Sequence, residues 1–145
     1  MIGLLQRVSQ ASVTVDNKVL GQIERGILVL VGVQKGDDLS HAERLANRLL
    51  GYRVFPDQDD KMNLSVQDIK GGILLVPQFT LAADTKKGKR ASFTSAAPPE
   101  DGLKLFNQLV ENLSAQYKNV STGKFGADMQ VALTNDGPVT FWLEV

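Results

Sequence analysis

"TNDGPVTFWLEV", residues 134–145, decides how the sheet is read. Asn135-Asp136-Gly137 has the makings of a tight hairpin turn, because Asn, Asp and Gly tolerate positive φ. Pro138 follows at once, and the run from Val139 to Val145 is rich in β-branched and aromatic residues. Upstream, "ADMQVALTND" (127–136) also reads as a strand. The local pattern predicts two final strands joined by a hairpin, so the sheet is not purely parallel. One oddity remains. Proline gives no N–H to a ladder, so a rigid Gly-Pro is a poor start for a central strand.

The rest of the chain supplies the partners. "GILVLVGV" (26–33) is a continuous apolar run, the mark of a strand covered on both faces. "GGILLVPQFTLAAD" (71–84) is a second buried strand, interrupted by Pro77. "LLQRVSQASVTV" (4–15) gives a strand, with Ser12-Val13-Thr14-Val15 alternating as another. Short strands are expected at Tyr52–Phe55, ended by Pro56, and at Met62–Val66. A first helix is expected in "DDLSHAERLANRLLG" (37–51), with Ser40 as N-cap and Glu43 three residues later. Ala42, Leu45 and Leu49 share one face, and Gly51 is a good stop. A second helix runs from Pro99 to about Tyr117, with Leu103, Phe106, Val110, Leu113 and Tyr117 at helical spacing. The expectation is a single mixed α/β domain over residues 1–145. It has about seven strands in a largely antiparallel, barrel-like arrangement and two main helices.

Composition narrows the class. A chain of 145 residues with 43% hydrophobic content suits one ordinary domain. There is no cysteine, which excludes disulfides and thiolate metal sites and favours a reducing compartment. Lys plus Arg is 16 and Asp plus Glu is 16, so bulk charge does not drive nucleic-acid binding, although a local basic patch is still open. Gln6 and Arg7 interrupt the first apolar run, unlike a signal peptide. The run at 26–33 is far too short to span a bilayer. A soluble cytoplasmic protein with no membrane partner is expected.

The chemistry is restricted. His41 is the only histidine, and its place in the first turn of a helix reads as a solvated position. No His or Cys set supports a metal, and the common nucleotide loops are absent, so no metal and no cofactor are expected. Asp37-Asp38 and Asp59-Asp60 read as turn and cap residues. A catalyst built from this chain must use hydroxyls, amides, backbone N–H groups or the substrate's own groups. "VPQFTLAADT" (76–85) is the candidate. Alternation puts Gln78 and Thr80 on one strand face, either merely half-exposed or a polar platform at a strand end. In the second case Gln78 orients a substrate, Thr80 offers a hydroxyl and the Phe79 N–H serves an oxyanion. "KKGKRASF" (86–93) follows, with Lys86, Lys87, Lys89 and Arg90 around Gly88. This is a solvated loop or, beside a site, a set of phosphate contacts. Phe125 and Met129 read as core residues or as part of a pocket.

"PQFTLAADT" (77–85), "GKRASF" (88–93) and "TGKFGADMQVALTNDGPVTFW" (122–142), together with "LLQRVSQASVTV", resemble the D-aminoacyl-tRNA deacylase family essentially end to end. Two signatures carry the resemblance. Asn-x-Gly-Pro-x-Thr is intact as Asn135-Asp136-Gly137-Pro138-Val139-Thr140. Ser-Gln-x-Thr is altered, with Pro77 where the family usually has serine.

The resemblance implies an enzyme that hydrolyses the ester of D-aminoacyl-tRNA, and of mischarged glycyl-tRNA, while sparing L-aminoacyl substrates. It implies a homodimer whose cis Gly137-Pro138 motif reaches into the partner's active site and binds the substrate amino group through its carbonyls. Arg7 fixes the motif's orientation, and Phe125 and Met129 line a pocket for the terminal adenosine. With Pro77 in the signature no serine nucleophile is available there, and Thr80 has no base. Hydrolysis assisted by the ribose 2′-hydroxyl is then expected, with Gln78 and Thr80 positioning and Phe79 stabilising the oxyanion. The rival readings are a non-catalytic binding module for a tRNA 3′ end or a nucleotide, a structural dimer with Gly-Pro as an interface plug, and a hydrolase of other small esters.

Overall fold

In the computed structural model, which describes residues 1–145, two long strands organise the sheet. Strand β1 (Ile2–Val15) pairs antiparallel with β8 (Gln130–Glu144), from Ile2↔Glu144 to Thr14↔Gln130. The expected C-terminal hairpin does not form. Residues on both sides of the Asn-Asp-Gly-Pro segment pair with β1 and run in the same direction. Asn135 lies opposite Val8 and Thr140 opposite Gln6, so Asp136–Val139 bulges out of one continuous strand. Gly137 does meet a need for positive φ, at 138°. Chain reversal does not follow from that need, and the ladder with β1 decides against it.

The true hairpin lies at Asp16-Asn17, with φ of 48° and 61°, and leads into β2 (Lys18–Ile23), a strand not expected from the sequence. β1 is one strand rather than two. Ser9 is an extra residue between the pairs Val8↔Asn135 and Gln10↔Thr134. That slip keeps Ala11 and Val13 on the same face as Val8.

Strand β3 (Gly26–Gly32) pairs antiparallel with β1 and parallel with β6 (Gly72–Pro77), which pairs parallel with β7 (Val120–Thr122). The main sheet is thus mixed and curls into a nearly closed barrel, with Gly21 of β2 passing close to Thr122 of β7. β4 (Phe55–Pro56) and β5 (Met62–Leu64) form a separate pair.

The continuous apolar runs serve two cores, as two-faced burial requires. Val8, Ala11, Val13, Ile23, Leu28, Leu74 and Val76 fill the barrel. Leu5, Ile27, Val29, Ile73 and Leu75 face outward onto the helices.

Helix α1 (Leu39–Gly51) and helix α2 (Pro99–Gln116) cover that outer face through Leu45, Leu49, Leu109 and Leu113. The cap of α1 is Asp38, not Ser40. Its carboxylate accepts from the N–H groups of Ser40 (2.9 Å) and His41 (3.3 Å), and the His41 ring accepts from the Asp38 N–H at 3.1 Å. Ser40 lies inside the first turn, where its hydroxyl only adds a bond to the same carboxylate. On α2 the buried stripe is Gly102, Leu105, Phe106, Leu109 and Leu113, and Leu103 is exposed. No helix is long and apolar enough to cross a membrane.

Candidate active site

The candidate site begins where β6 ends. Val31 of β3 lies opposite Pro77, and the Gln78 N–H donates to the Val31 carbonyl at 2.7 Å. Successive amides in a strand point to opposite neighbours, so the N–H that proline lacks would face β7. There the last pair is Leu75↔Thr122, the Gly123 N–H still donates to the Leu75 carbonyl at 2.8 Å, and the Pro77 ring lies beside Gly123. Lacking that N–H, Pro77 cannot extend the ladder with β7 beyond this bond.

Beyond Gln78 the backbone enters one turn of 3-10 helix, Phe79–Ala82. Gln78 and Thr80 do not alternate on a strand face, contrary to the sequence expectation, because the strand stops at Pro77. The tight turn still joins them, since the Gln78 side-chain amide donates to the Thr80 hydroxyl. As the first residue of the turn, Phe79 has no partner for its N–H within the helix. Gly32 of β3 lets the turn lie close, because a Cβ there would sit 2.9 Å from that of Leu81.

Two adjoining cavities open beside this turn. One, of about 270 Å³, is lined by residues including Val31, Pro77, Phe79, Phe106 and Phe125. The other, of about 260 Å³, is lined by residues including Gln78, Phe79, Met129 and Val131. Phe125 packs its ring 6.4 Å from that of Phe106 and against Gly102, where a Cβ would come within 3.1 Å of the ring edge. Met129 packs on the barrel core, and its sulfur accepts from the Lys124 N–H at 3.4 Å. Each residue thus rests on a core and faces a cavity, so the two readings of these positions describe one arrangement.

The Asp136–Val139 bulge is a second constellation. The Gly137-Pro138 peptide is cis, and both residues are exposed. Arg7 holds the loop's base, with Nε donating to the Asp136 carbonyl at 2.9 Å and Nη1 to the Val54 carbonyl at 2.7 Å. Asn135 stitches its ends. Its side-chain carbonyl accepts from the Val139 N–H at 2.8 Å, and its amide donates to the Thr140 hydroxyl at 2.8 Å. Sequence reading singled out Arg7, Gly137 and Pro138 but gave no role to Asn135 and Thr140 individually. Their fixed spacing in the signature was the available signal. The Val54 carbonyl, 47 residues from Arg7, had none.

Within one chain the two constellations stay apart, since no residue of the bulge lines either cavity. The basic loop flanks the first. Asp84 and Ser92 exchange two backbone hydrogen bonds (2.8 and 3.0 Å), and Lys86, Lys87, Lys89 and Arg90 are exposed on the loop they close. None of the four forms a salt bridge. No three His, Cys, Asp or Glu side chains converge on one point. The cavities likewise gather no acid, base or thiol.

Comparison with known proteins gives a consistent result. The family model described as D-Tyr-tRNA(Tyr) deacylase matches residues 4–144. The D-aminoacyl-tRNA deacylase of Alkalilimnicola ehrlichii is 60% identical over 144 residues, covering 99% of this chain and 96% of its own. That of Escherichia coli O81 is 56% identical over 145 residues, covering 100% of both chains. Among solved structures, the c-Myc DNA Unwinding Element Binding Protein superposes with a TM-score of 0.95 at 40% identity, over 100% of this chain and 99% of that one. A second, described as "a probable eukaryotic D-amino acid tRNA deacylase", shares the fold with a TM-score of 0.84 at 16% identity, over 99% and 98% of the two chains.

Proposed function

The chain belongs to the D-Tyr-tRNA(Tyr) deacylase family, and on that premise we propose that it hydrolyses the ester of D-aminoacyl-tRNA and of mischarged glycyl-tRNA in the cytoplasm, sparing L-aminoacyl-tRNA. The observation that carries the reading is the Gln78–Thr80 turn, with a backbone N–H free at its start and two cavities beside it. The cavity lined by Phe125 takes the terminal adenosine, with Met129 beside it, which brings the aminoacyl ester to the turn.

The carbonyl carbon is attacked by water. A C–O bond forms, the oxyanion is met by the Phe79 N–H, and the bond to the ribose oxygen breaks. The water proton reaches the leaving ribose oxygen with the help of the neighbouring 2′-hydroxyl. That route suits a site with no side chain able to act as a general base. Free amino acid and uncharged tRNA are released. Gln78 and Thr80 position the ester rather than attack it. Lys86, Lys87, Lys89 and Arg90 hold backbone phosphates.

Chirality is read by the Gly137-Pro138 loop of a second copy. Supporting this are the loop's exposure, its clamping by Arg7 and Asn135, and its separation from the cavities of its own chain. The 15-residue edge strand that carries it also exposes Leu133 and Trp142, a face that a second copy would cover. In the homodimer the Gly137 and Pro138 carbonyls accept the substrate ammonium, and the loop leaves no space for an L side chain. A glycyl group has no side chain to exclude, so it is hydrolysed too.

The test is to incubate the protein with D-tyrosyl-, L-tyrosyl- and glycyl-tRNA and to follow ester loss above the spontaneous rate. Acceleration of the D and glycyl forms alone is expected. Acceleration of none would leave a binding module for the tRNA 3′ end.

A further inference from the structure

The structure has a feature that ester hydrolysis does not use. Phe79 and Phe93 are large apolar residues left 58% and 47% exposed, and their rings stack at 5.2 Å with a tilt of 49°. Phe79 belongs to the candidate catalytic turn. Phe93 directly follows Ser92, which closes the basic loop against Asp84. The ring pair therefore joins the turn to the loop. A groove of about 370 Å³ runs past both rings, with Lys35 and Pro98 on its border. Four cations in five positions project from the loop without a carboxylate partner, and Lys35 has none either. An exposed aromatic face beside unpaired cations is the combination that holds single-stranded nucleic acid. The bases stack on the ring while the cations track the phosphates.

We propose that Phe93 is a stacking platform for the unpaired nucleotides immediately 5′ of the tRNA's terminal adenosine, with Lys35 and the 86–90 cations holding their phosphates. The inference rests on the proposed reaction at the adjacent turn and adds a substrate subsite to it. Charge selects this occupant. A protein partner covering the rings would have to neutralise five unpaired cations at its rim, whereas a polynucleotide brings one anion per residue. Stacking on a ring face is tolerant of base identity, so the platform lengthens recognition of the 3′ end without selecting among tRNAs.

The experiment compares two substrates. D-tyrosyl-tRNA has the upstream nucleotides, and D-tyrosyl-adenosine lacks them. Phe93→Ala is expected to lower kcat/KM on the tRNA by about tenfold, the usual scale for losing one base–aromatic stack. It should leave D-tyrosyl-adenosine unchanged, and Phe93→Trp should restore the tRNA rate. Equal loss on both substrates, or no loss on the tRNA, overturns the platform. So does a change in sedimentation showing that Phe93 seals a contact between copies.

A second measurement is independent of turnover. Uncharged RNA trinucleotide CCA should bind the wild type more tightly than adenosine does, and Phe93→Ala should erase the difference. If neither substrate is hydrolysed while this preference persists, the deacylase reading fails and the platform stands. If hydrolysis proceeds and CCA binds no better than adenosine, the platform fails alone.

Discussion

Arg7 donates from Nε to the backbone carbonyl of Asp136 at 2.9 Å across 129 residues of chain, while its Nη1 holds the Val54 carbonyl at 2.7 Å. One guanidinium thus ties the Gly137-Pro138 bulge to the segment just before β4. Its side chain is 13% exposed, and both bonds are charge-assisted, the one to Val54 partly buried. The planar fork matters, because a lysine ammonium at the end of a flexible stem cannot serve two carbonyls in fixed directions.

Arg7→Lys is therefore expected to misplace the loop without unfolding the protein. Positioning errors of about 1 Å can cost roughly 100-fold in rate, so a drop of about 10- to 100-fold in kcat/KM on D-tyrosyl-tRNA is expected. The melting temperature should change little. A variant with wild-type turnover would show that the clamp has no part in the reaction.

The bulge and the cavities provide a test of the second copy. Gly137 has φ of 138°, and a Cβ there would lie 2.7 Å from Val139 and 3.0 Å from the Arg7 guanidinium, so Gly137→Ala distorts the loop. Gln78→Arg fills the cavity beside Met129 instead. Each variant alone should be inactive. When the two are mixed and allowed to exchange, half the dimers are mixed. Each mixed dimer has one site with an intact loop and an intact cavity, so activity should return to about a quarter of wild type in a two-fold dimer. No recovery, with subunit exchange verified, would place loop and cavity in the same chain's site.

The pH dependence of stability follows from hydrogen-bonded carboxylates. Asp57 is held below the ordinary carboxylate range mainly by the Asn63 side chain, and Asp68 mainly by the Ser65 N–H. The Ser40 hydroxyl, with the Ser40 and His41 N–H groups, does the same for Asp38, and the Gln34 amide does so for Glu144. A carboxyl whose folded pKa is depressed stabilises the fold above its unfolded value, near 4, and loses that contribution as pH falls through the folded value. Tyr117 has the opposite sign. Burial raises its pKa, so its share is complete below about 10 and is lost above. Thermal melts should be nearly level from about pH 5 to 7 and fall steadily below pH 4. A steep change between pH 5 and 7 would contradict this assignment.

The parts of the fold fixed by nearby residues were legible in the sequence. The runs at 26–33 and 71–77 announced strands buried on two faces, and Pro99 marked the start of α2. What escaped was non-local. Asn135-Asp136-Gly137-Pro138 has the same chemistry in a hairpin and in a bulge, and only the pairing of both flanks with β1 separates them. The stripe on α2 slipped because Leu103 fits the helical period but is left 42% exposed, whereas Gly102 is needed for the approach of Phe125. At the candidate site the residue types were legible, and the backbone under Gln78 and Thr80 was not. The partner that replaces strand pairing there is the 3-10 turn lodged against Gly32, which has no periodic signature.

That turn also decides what Thr80 can do. Its hydroxyl already accepts from the Gln78 amide, no histidine or carboxylate lines the adjoining cavities, and a threonine hydroxyl at neutral pH is a weak nucleophile without a base. Thr80→Ala should therefore keep a substantial rate on D-tyrosyl-tRNA, losing about tenfold through looser placement of Gln78. Replacing the terminal ribose by its 2′-deoxy form should cost far more, because it removes the hydroxyl adjoining the ester. A trapped acyl-threonine, or loss of all activity in Thr80→Ala with full activity on the 2′-deoxy substrate, would reverse the roles. Thr80 would then be the nucleophile and the ribose a bystander.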